Sequence, residues 1–428
     1  MSIAPLQKLS AALRQNGLVK FYDQMEASYG DLSLKQLQFE HCGPNREVRI
    51  NGQPLINFGF DSFLGLDQDP RVIEAVSRGA REWGTQFGAS RAFAVAGIEA
   101  EVEQKIARWM GTEAAVIFPS VTLTNVGVIP GLVGTPDLIV TDEFAHNSIL
   151  EGTKIAKANG VRVLSFRHNS AEDLERVLVS AQPYRCAIVA IDGVYSMSGV
   201  VADLPALNEV ALRHSAVLYV DDAHATAVMG ECGRGTVLES LGSYDNTLVV
   251  GCFSKACSVF GAFVACTREF QRLIKMKSST FIFGGPVPPP YLAGVSTVID
   301  ILMSDDYAVL RQRLDNNLHR MVDGLETLNL ALLGGRSAII SVLIGDEENT
   351  FRAGWHLSER GFHVQSVTFP AVPFHAGVIR IQVNANHRTE DIDGLLNAIA
   401  ELKEMMDLPG PEQLPEHAEF GSDNLIAT

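Results

Sequence analysis

The run VVGCFSKA (residues 249–256) is the stretch that decides how this sequence is interpreted. Its apolar, β-branched first half predicts a short buried strand, which stops at a small, polar turn that contains Lys255. A lysine at the edge of a sheet can be partly desolvated, and such an amine can form a Schiff base with a carbonyl compound. By itself this pattern is weak, because a lysine that follows a strand is usually a solvated surface residue.

Two apolar runs upstream end in the same way. They are LYVDDAH (residues 218–224) and IVAIDGVYS (residues 188–196), which place Asp221, His224 and Asp192 at strand ends. A carboxylate, a histidine and a lysine at successive strand ends suggest pyridoxal phosphate chemistry, in which the lysine holds the aldehyde and the carboxylate pairs with the pyridinium nitrogen. An Asp-Asp pair after a strand is also typical of a turn or a helix N-cap, so the inference depends on the order of all three strand ends.

Composition limits the possible classes of protein. The chain has 428 residues, of which 46% are hydrophobic, so it can bury a large core. The formal net charge of −16, without a block of basic residues, argues against a nucleic-acid or anionic-membrane surface, although it leaves room for an anionic ligand. The six cysteines show no metal-ligand spacing, and together with the lack of a signal peptide they favour a reducing, cytoplasmic compartment. No apolar stretch is long enough to span a bilayer.

Short apolar runs alternate with amphipathic helical segments from about residue 70 onwards, which predicts an α/β fold with a mostly parallel, doubly wound sheet. Ligands of such sheets bind outside the carboxyl ends of the strands. The predicted strands are Ala114–Phe118, 138–141, Arg162–Phe166, 187–191, 216–220, 247–250 and 261–266.

The chain divides into four predicted parts. Residues 1–60 would form N-terminal helices and a small strand pair, with a hairpin turn at Asn51-Gly52. Residues 61–305 would form the large domain that holds the sheet, and residues 306–408 a smaller C-terminal α+β domain. The Pro- and Glu-rich residues 409–428 would be a mobile tail.

Several motifs occur in the order found in one enzyme family. They are TDEFAHNS (141–148), DGVYSM (192–197), VDDAH (220–224) followed by Gly230, and RIQ (380–382) with His387. This set resembles the α-oxoamine synthases, a branch of the fold-type I pyridoxal phosphate enzymes that includes serine palmitoyltransferase, 8-amino-7-oxononanoate synthase and 2-amino-3-ketobutyrate ligase. The resemblance spans about residues 57–402 and implies a seven-stranded, mostly parallel sheet in a large domain, followed by a small domain.

The resemblance also implies roles at the cofactor. Lys255 would form the Schiff base and later move the α-proton of the substrate. Asp221 would keep the pyridine nitrogen protonated, while His224 and Ser196 would hydrogen-bond the ring hydroxyl. His146 would stack on the ring and, with Lys255 and Asp221, make up the catalytic set, although it could also be a plain histidine at a helix start.

For the amino-acid substrate, the resemblance implies that Arg380 binds the carboxylate as a bidentate pair. The alternative is that Arg380 is a surface residue of its strand. Asp192 fits a turn residue as well as a catalytic one, so it is placed in the shell around the site.

The segments expected around the cofactor phosphate depart from the family pattern. Val121 and Thr122 stand where the family has a small residue and an aromatic residue, and Cys252 replaces a serine or threonine. Thr122 and Ser254 could supply hydroxyl groups instead. Gly284-Gly285 replaces a Ser-Thr pair that the neighbouring subunit usually contributes, so only backbone N–H groups remain there.

Two further departures concern the substrate. Asp61 replaces an asparagine that commonly helps to bind the amino-acid carboxylate, and an ionised Asp61 would repel a carboxylate unless it is protonated or turned away. Glu99 stands where the family usually has a histidine. An atypical amino-acid substrate is therefore expected.

Together these observations predict a homodimeric, pyridoxal-phosphate-dependent acyltransferase that joins an amino acid to an acyl thioester with loss of carbon dioxide. The thioester carrier could be coenzyme A or a carrier protein. A different pyridoxal phosphate reaction, such as an aldolase or a simple decarboxylase, stays open because of Asp61 and the altered phosphate segments. A non-catalytic subunit of a synthase complex is also an alternative, but the presence of Lys255, Asp221, His146 and His224 argues against it.

Overall fold

The structure is a computed structural model that describes residues 4–29, 37–334 and 337–414. Within these ranges the strands are β1 (Phe39–Cys42), β2 (Glu47–Ile50), β3 (Gln53–Asn57), β4 (Ala114–Phe118), β5 (Leu138–Asp142), β6 (Arg162–Phe166), β7 (Ala187–Asp192), β8 (Ala216–Asp221), β9 (Thr247–Cys252), β10 (Ala262–Cys266), β11 (Leu332–Gly334), β12 (Ile339–Gly345), β13 (Phe362–His363), β14 (Gln365–Val367) and β15 (Gly377–Gln382). The α-helices are α1 (Pro5–Leu13), α2 (Gly17–Tyr29), α3 (Pro70–Trp83), α4 (Gly97–Met110), α5 (Val121–Leu132), α6 (Asn147–Ala158), α7 (Ala171–Ser180), α8 (Leu204–Arg213), α9 (Thr236–Leu241), α10 (Arg268–Lys277), α11 (Ser279–Phe283), α12 (Pro289–Leu302), α13 (Asp305–Thr327), α14 (Glu347–Glu359) and α15 (Thr389–Met405).

The central element is a seven-stranded sheet with the order β4-β10-β9-β8-β7-β5-β6. All neighbouring strands run parallel except β10, which is antiparallel to both β4 and β9. The predicted α/β class with a mostly parallel seven-stranded sheet is therefore confirmed, and every strand lies within two residues of its predicted bounds. The long β-branched runs made this possible, because strands buried on both faces are almost continuously apolar.

Helices cover both faces of this sheet. Along β8, Leu218 and Val220 belong to one hydrophobic cluster, whereas Tyr219 between them belongs to a second cluster on the opposite face. The parallel register aligns the last residues of the strands: Asp192 at the end of β7 lies opposite Asp221 at the end of β8. Lys255 follows three residues after the end of β9, so the three strand ends meet at one edge of the sheet.

The two smaller sheets join distant parts of the chain. One has the antiparallel order β11-β12-β15-β14, and the other has the order β1-β2-β3-β13. The predicted strand pair around Asn51-Gly52 is thus part of a four-stranded sheet, because β13 adds to β3 in parallel across about 300 residues of sequence. A two-residue strand carries no alternation pattern, so the sequence did not indicate this pairing.

The N-terminal helices lie outside the main core, as their polar composition suggests. Helix α1 buries no side chain, and α2 lies with Phe21 against Phe369 and Phe374. Of the predicted tail, residues 415–428 lie outside the described residues, whereas the Pro409 carbonyl accepts a hydrogen bond from the Ala331 N–H at 2.9 Å. Among the described helices, none has the length and apolar run that a membrane crossing requires.

Candidate active site

A cavity of about 220 Å³ lies outside the carboxyl ends of β7, β8 and β9. This is the edge at which ligands bind in open α/β sheets. The residues that line it are Ser120, Val121, Thr122, His146, Asp192, Val194, Asp221, Ala223, His224, Cys252, Ser254 and Lys255.

Lys255 reaches this cavity from the turn after β9. The turn is closed by Ser258, whose N–H donates to the Lys255 carbonyl at 2.8 Å and whose hydroxyl donates to the same oxygen at 3.2 Å. The side chain is half-buried, and its ammonium makes no hydrogen bond or ion pair with the part of the chain that the structure describes. The amine is therefore free to react with an aldehyde that enters the cavity.

Asp221 is held in place from two sides. The Asn125 side-chain amide donates to its Oδ2 at 2.7 Å, and the Ala223 N–H donates to its Oδ1 at 3.1 Å. Asn125 is itself fixed by the hydroxyl of Tyr219, which donates to the amide oxygen at 2.8 Å. These bonds orient a buried carboxylate at the cavity wall, which suits an ionic partner of a pyridinium nitrogen. The sequence did not identify Asn125 and Tyr219 as its supports.

Asp192, which the sequence placed in the shell around the site, lines the cavity beside Asp221. Its Oδ1 accepts a hydrogen bond from the His146 N–H at 3.2 Å. Burial, and then the charge of Asp221, raise the pKa of Asp192 well above its usual range. The two carboxylates at this edge of the sheet therefore differ in their hydrogen-bond donors. In the sequence, only the position of Asp192 at a strand end indicated that it could lie at the cavity.

His146 begins α6 as its N-cap. Its Nδ1 accepts a hydrogen bond from the Ser148 N–H at 3.2 Å and lies 2.7 Å from the Ser148 hydroxyl. Burial lowers the pKa of His146, against the opposing charge of Asp221. A neutral imidazole with a fixed ring plane suits the expected stacking on an aromatic cofactor.

His224 gives the clearest sign that a polar group belongs in the cavity. The side chain is buried, yet within residues 4–29, 37–334 and 337–414 its Nδ1 has no hydrogen-bond partner. Burial, and then the charge of Lys255, lower the pKa of His224 well below its usual value. An unpaired buried nitrogen is costly, and a ring hydroxyl of pyridoxal phosphate would satisfy it.

The amino end of α5 closes the cavity at the side expected for the phosphate. Ser120 is the N-cap and accepts a hydrogen bond from the Leu123 N–H at 3.2 Å, and Val121 and Thr122 open the helix. The first N–H groups of a helix lack intrahelical partners and attract anions. In the same cavity lining, the Cys252 thiol and the Ser254 hydroxyl lie 3.0 Å apart. The donors present therefore fit a phosphate group.

Five predicted site residues do not line this cavity: Gly284, Gly285, Ser196, Arg380 and Asp61. Gly284 and Gly285 follow α11, and the Gly285 carbonyl accepts a hydrogen bond from Arg91 at 3.0 Å. Their expected contribution from a neighbouring subunit remains a prediction. Ser196 also lies outside the cavity lining. Its backbone carbonyl, and not its hydroxyl, accepts a hydrogen bond from Arg380.

Arg380 is buried and makes three contacts through its guanidinium. Nε donates to the Ser196 carbonyl at 2.6 Å, Nη1 donates to the Gln365 side chain at 2.7 Å, and Nη2 pairs with Asp61 at 3.2 Å. Asp61 was expected to oppose a substrate carboxylate, and the structure shows that it faces the arginine and is not turned away. Arg380 is a buried residue of β15 and not a surface residue of its strand. Gln365 was not foreseen, because nothing in its local sequence marks it.

Glu99 lies away from the cavity, in a second buried charged group. Both of its carboxylate oxygens lack hydrogen-bond partners within the described residues, and the nearest cation, Arg91, is 3.9 Å away. Burial raises the pKa of Glu99 to about 7, with the charge of Arg91 acting in the opposite direction. Arg91 in turn lies over the ring of Phe281 at 4.1 Å.

Comparison with known proteins agrees with this geometry. The model of the aminotransferase class I and II family matches residues 53–399. The 8-amino-7-oxononanoate synthase 1 of Bacillus velezensis is 33% identical over 378 residues, which are 88% of this chain and 95% of that protein. The 8-amino-7-oxononanoate synthase of Geobacter sulfurreducens is 34% identical over 358 residues, covering 83% of this chain and 90% of that protein.

Solved structures with the same fold include two serine palmitoyltransferases. That of S. paucimobilis, with pyridoxal phosphate bound, has a TM-score of 0.85 and 28% identity, and the match covers 91% of this chain and 97% of that chain. That of Sphingomonas wittichii has a TM-score of 0.85 and 28% identity, with 92% and 98% of the two chains covered.

Proposed function

The chain belongs to the aminotransferase class I and II family, as a pyridoxal-phosphate-dependent acyltransferase of the α-oxoamine synthase group, and we propose that it carries out its reaction in the cavity at Lys255. The reaction condenses an amino acid with an acyl thioester. The bond from the α-carbon to the carboxylate breaks and carbon dioxide leaves, a carbon–carbon bond to the acyl group forms, and the thiol is released. The product is an α-amino ketone.

The assignment of the reaction to this cavity rests on one observation. Lys255 follows β9, Asp221 and His224 stand at the end of β8, and all three line the same 220 Å³ space, in which His224 has an unsatisfied ring nitrogen within the described residues. A cofactor with an aldehyde, a ring nitrogen and a ring hydroxyl matches these three groups. When bound, pyridoxal phosphate supplies the electron sink for the α-carbon of the substrate.

The residues of the chain supply binding, orientation and proton transfer. Lys255 would hold the cofactor aldehyde, and its amine would move the proton of the substrate α-carbon. Asp221, which Asn125 holds in place, would pair with the ring nitrogen. The imidazole of His146 would cover the ring and exclude water from that face.

Arg380 is proposed to bind the substrate carboxylate. Nε is engaged by the Ser196 carbonyl, so the carboxylate approaches through the two Nη groups. There it competes with Asp61 for Nη2 and with Gln365 for Nη1. The site therefore holds the carboxylate less tightly than an unpaired arginine would, which eases its departure as carbon dioxide.

A homodimer in the cytoplasm is proposed as the working form. Gly284 is exposed and Gly285 is half-exposed after α11. The Gly284 N–H donates to the Thr280 carbonyl at 2.9 Å, so the Gly285 N–H is the group proposed to approach the phosphate site of a second subunit. All six cysteines are free, which suits a reducing compartment.

The test is thioester-dependent release of carbon dioxide. The purified enzyme, loaded with pyridoxal phosphate, is incubated with a panel of amino acids labelled at the carboxyl carbon, with and without acyl-coenzyme A. The proposal expects carbon dioxide and free thiol in equal amounts, only when both substrates are present, and neither from Lys255→Ala. Carbon dioxide released without the thioester would instead assign a simple decarboxylase, and carbon–carbon cleavage without carbon dioxide would assign an aldolase.

A further inference from the structure

A second, much larger opening lies beside the Arg380–Asp61 pair. We call it the lateral groove; its walls are α2, the edge strand β6 with α6, and α14 with the segment 362–374. Its volume of about 1940 Å³ exceeds the roughly 300–1,000 Å³ of ordinary small-molecule sites. The groove is therefore large enough for an extended ligand, and neither the cofactor nor an amino acid needs it.

Apolar and aromatic side chains dominate its walls. Phe369 and Phe374 stack with their ring centroids 3.9 Å apart, and Phe21 of α2 meets the Phe369 ring edge-on at 5.7 Å. Trp355 is 48% exposed and Leu164 is 40% exposed along the same groove. Large apolar side chains that stay in contact with water in one continuous recess are typical of a ligand site.

The lateral groove adjoins the residues that contact Arg380, the proposed carboxylate-binding residue. Gln365 lines it, and the side-chain oxygen of the same residue accepts the hydrogen bond from Arg380 Nη1. Phe60 and Met197, the chain neighbours of Asp61 and Ser196, line it as well. A chain lying in the groove can thus place one end beside the guanidinium that is proposed to take the amino-acid carboxylate.

We propose that the lateral groove binds the apolar chain of the acyl thioester, and that this chain is a long, straight hydrocarbon. This inference rests on the proposed function, which requires an acyl donor to reach the cavity at Lys255. The amino acid is small and is held by charge, so the acyl chain is the substrate part whose chemistry matches aromatic and aliphatic walls. Each methylene buried in such a groove tightens binding by about fourfold.

Unreactive coenzyme A thioethers test this proposal directly. The enzyme loaded with pyridoxal phosphate is titrated with S-dodecyl- and S-butyl-coenzyme A, and binding is measured by calorimetry. The expected result is a Kd at least a hundredfold lower for the dodecyl compound, because eight more methylenes leave water. Equal affinities for the two compounds would overturn the proposal.

Variants of the groove wall locate the chain. In Phe21→Ala/Phe374→Ala the affinity for the dodecyl compound should fall at least tenfold, while that for the butyl compound changes less than twofold. Leu212→Ala, which removes a 59% exposed leucine on α8 away from the groove, is the matched control and should change neither. Leu164→Lys places a charge on an exposed edge-strand position, so it keeps the fold, and it should weaken dodecyl binding as well. Wild-type dodecyl affinity in these groove variants would show that the chain lies elsewhere.

This experiment separates the two proposals. The thioethers cannot react, so their binding does not depend on condensation. Chain-length-dependent binding without thioester-dependent carbon dioxide would reject the proposed reaction and keep the groove. Carbon dioxide release together with equal thioether affinities would keep the reaction and reject the groove.

Discussion

At the scale of single residues, Asp221 and its neighbour Asp192 differ in what holds them. Both end parallel strands, but only Asp221 is held by a side-chain amide, that of Asn125 at 2.7 Å. A carboxylate held in one orientation at the cavity wall is suited to pair with the ring nitrogen of the cofactor.

Asp221→Asn should therefore cost rate more than cofactor retention. We expect kcat to fall by roughly a hundredfold or more, since the carboxylate stabilises charge that develops only during reaction. Steady-state turnover and the pyridoxal phosphate Kd are the measurements. Turnover within a few-fold of wild type would show that another group controls the ring nitrogen.

Asp61→Asn should strengthen amino-acid binding. The ion pair at 3.2 Å occupies Arg380, and removing one like-charge contact of about 1.4 kcal/mol corresponds to a tenfold lower Kd. Titration of the cofactor absorbance with glycine, alanine and serine measures it. Asp393→Asn, which breaks the exposed pair with Arg320 between α13 and α15, is the control. Unchanged affinities for all three amino acids would place Asp61 outside the substrate site.

Glu99→Gln should change how stability depends on pH. The folded pKa of Glu99 is raised to about 7 from an ordinary value of 4.5, so between these pH values the folded state binds more protons than the unfolded state. The free energy of unfolding of the wild type should therefore fall as pH rises from 4.5 to 7, by roughly 1–3 kcal/mol from this residue, and then level off.

Denaturant unfolding from pH 4.5 to 8 checks this, with the exposed Glu101→Gln on the same helix as control. For Glu99→Gln, the free energy of unfolding should not show the part of the decline between pH 4.5 and 7 that Glu99 causes. Parallel stability curves for wild type and Glu99→Gln would mean that Glu99 is ionised in the folded protein throughout this range.

The sequence identified the cavity residues that are proposed to react, but not the residues that hold them in place. Lys255, Asp221, His224 and His146 lie in short motifs at predicted strand or helix ends, and all four line the cavity. Gln365 was not identifiable, because it reaches its partner, Arg380, through the pairing of β14 with β15, which local sequence does not specify.

At the scale of elements, the amino end of α5 is proposed to hold the phosphate. Two helices offer a matched comparison, because Ser120 of α5 and Ser170 of α7 are both N-caps that accept a hydrogen bond at 3.2 Å. Only Ser120 lines the cavity.

Ser120→Ala and Ser170→Ala should each lower stability by about 1 kcal/mol. Only Ser120→Ala should raise the Kd for pyridoxal phosphate, because only that helix end faces the cofactor. Thermal unfolding of the apo-protein and equilibrium dialysis of the cofactor measure the two effects. Equal cofactor affinities in the two variants would move the phosphate away from α5.

Element prediction succeeded where hydrophobic runs were long. The seven strands of the central sheet have five or six residues each, and their bounds were predicted to within two residues. Most are nearly continuous apolar runs, whereas the edge strand β6 is largely exposed and contains Arg162 and Ser165. The strands β13 and β14, of two and three residues, depend on partners far away in the sequence, so tertiary pairing and not local pattern produces them.

At the scale of the whole molecule, the N-terminal part is tied to the C-terminal part. Strand β3 pairs with β13, and Phe21 of α2 packs on Phe369. The boundaries predicted at residues 60/61, 305/306 and 408/409 remain predictions. The segments joined by these contacts also line the lateral groove. The proposed acyl chain would therefore lie between the N-terminal and the C-terminal parts of the chain.

The proposed function depends most on Lys255 as the residue that binds the cofactor covalently. The enzyme loaded with pyridoxal phosphate is reduced with borohydride and digested, and the modified peptide is mapped by mass spectrometry. The account predicts a pyridoxyl group on Lys255 alone and a Lys255→Ala protein that folds but takes up no label. A pyridoxyl group on any other lysine would contradict it.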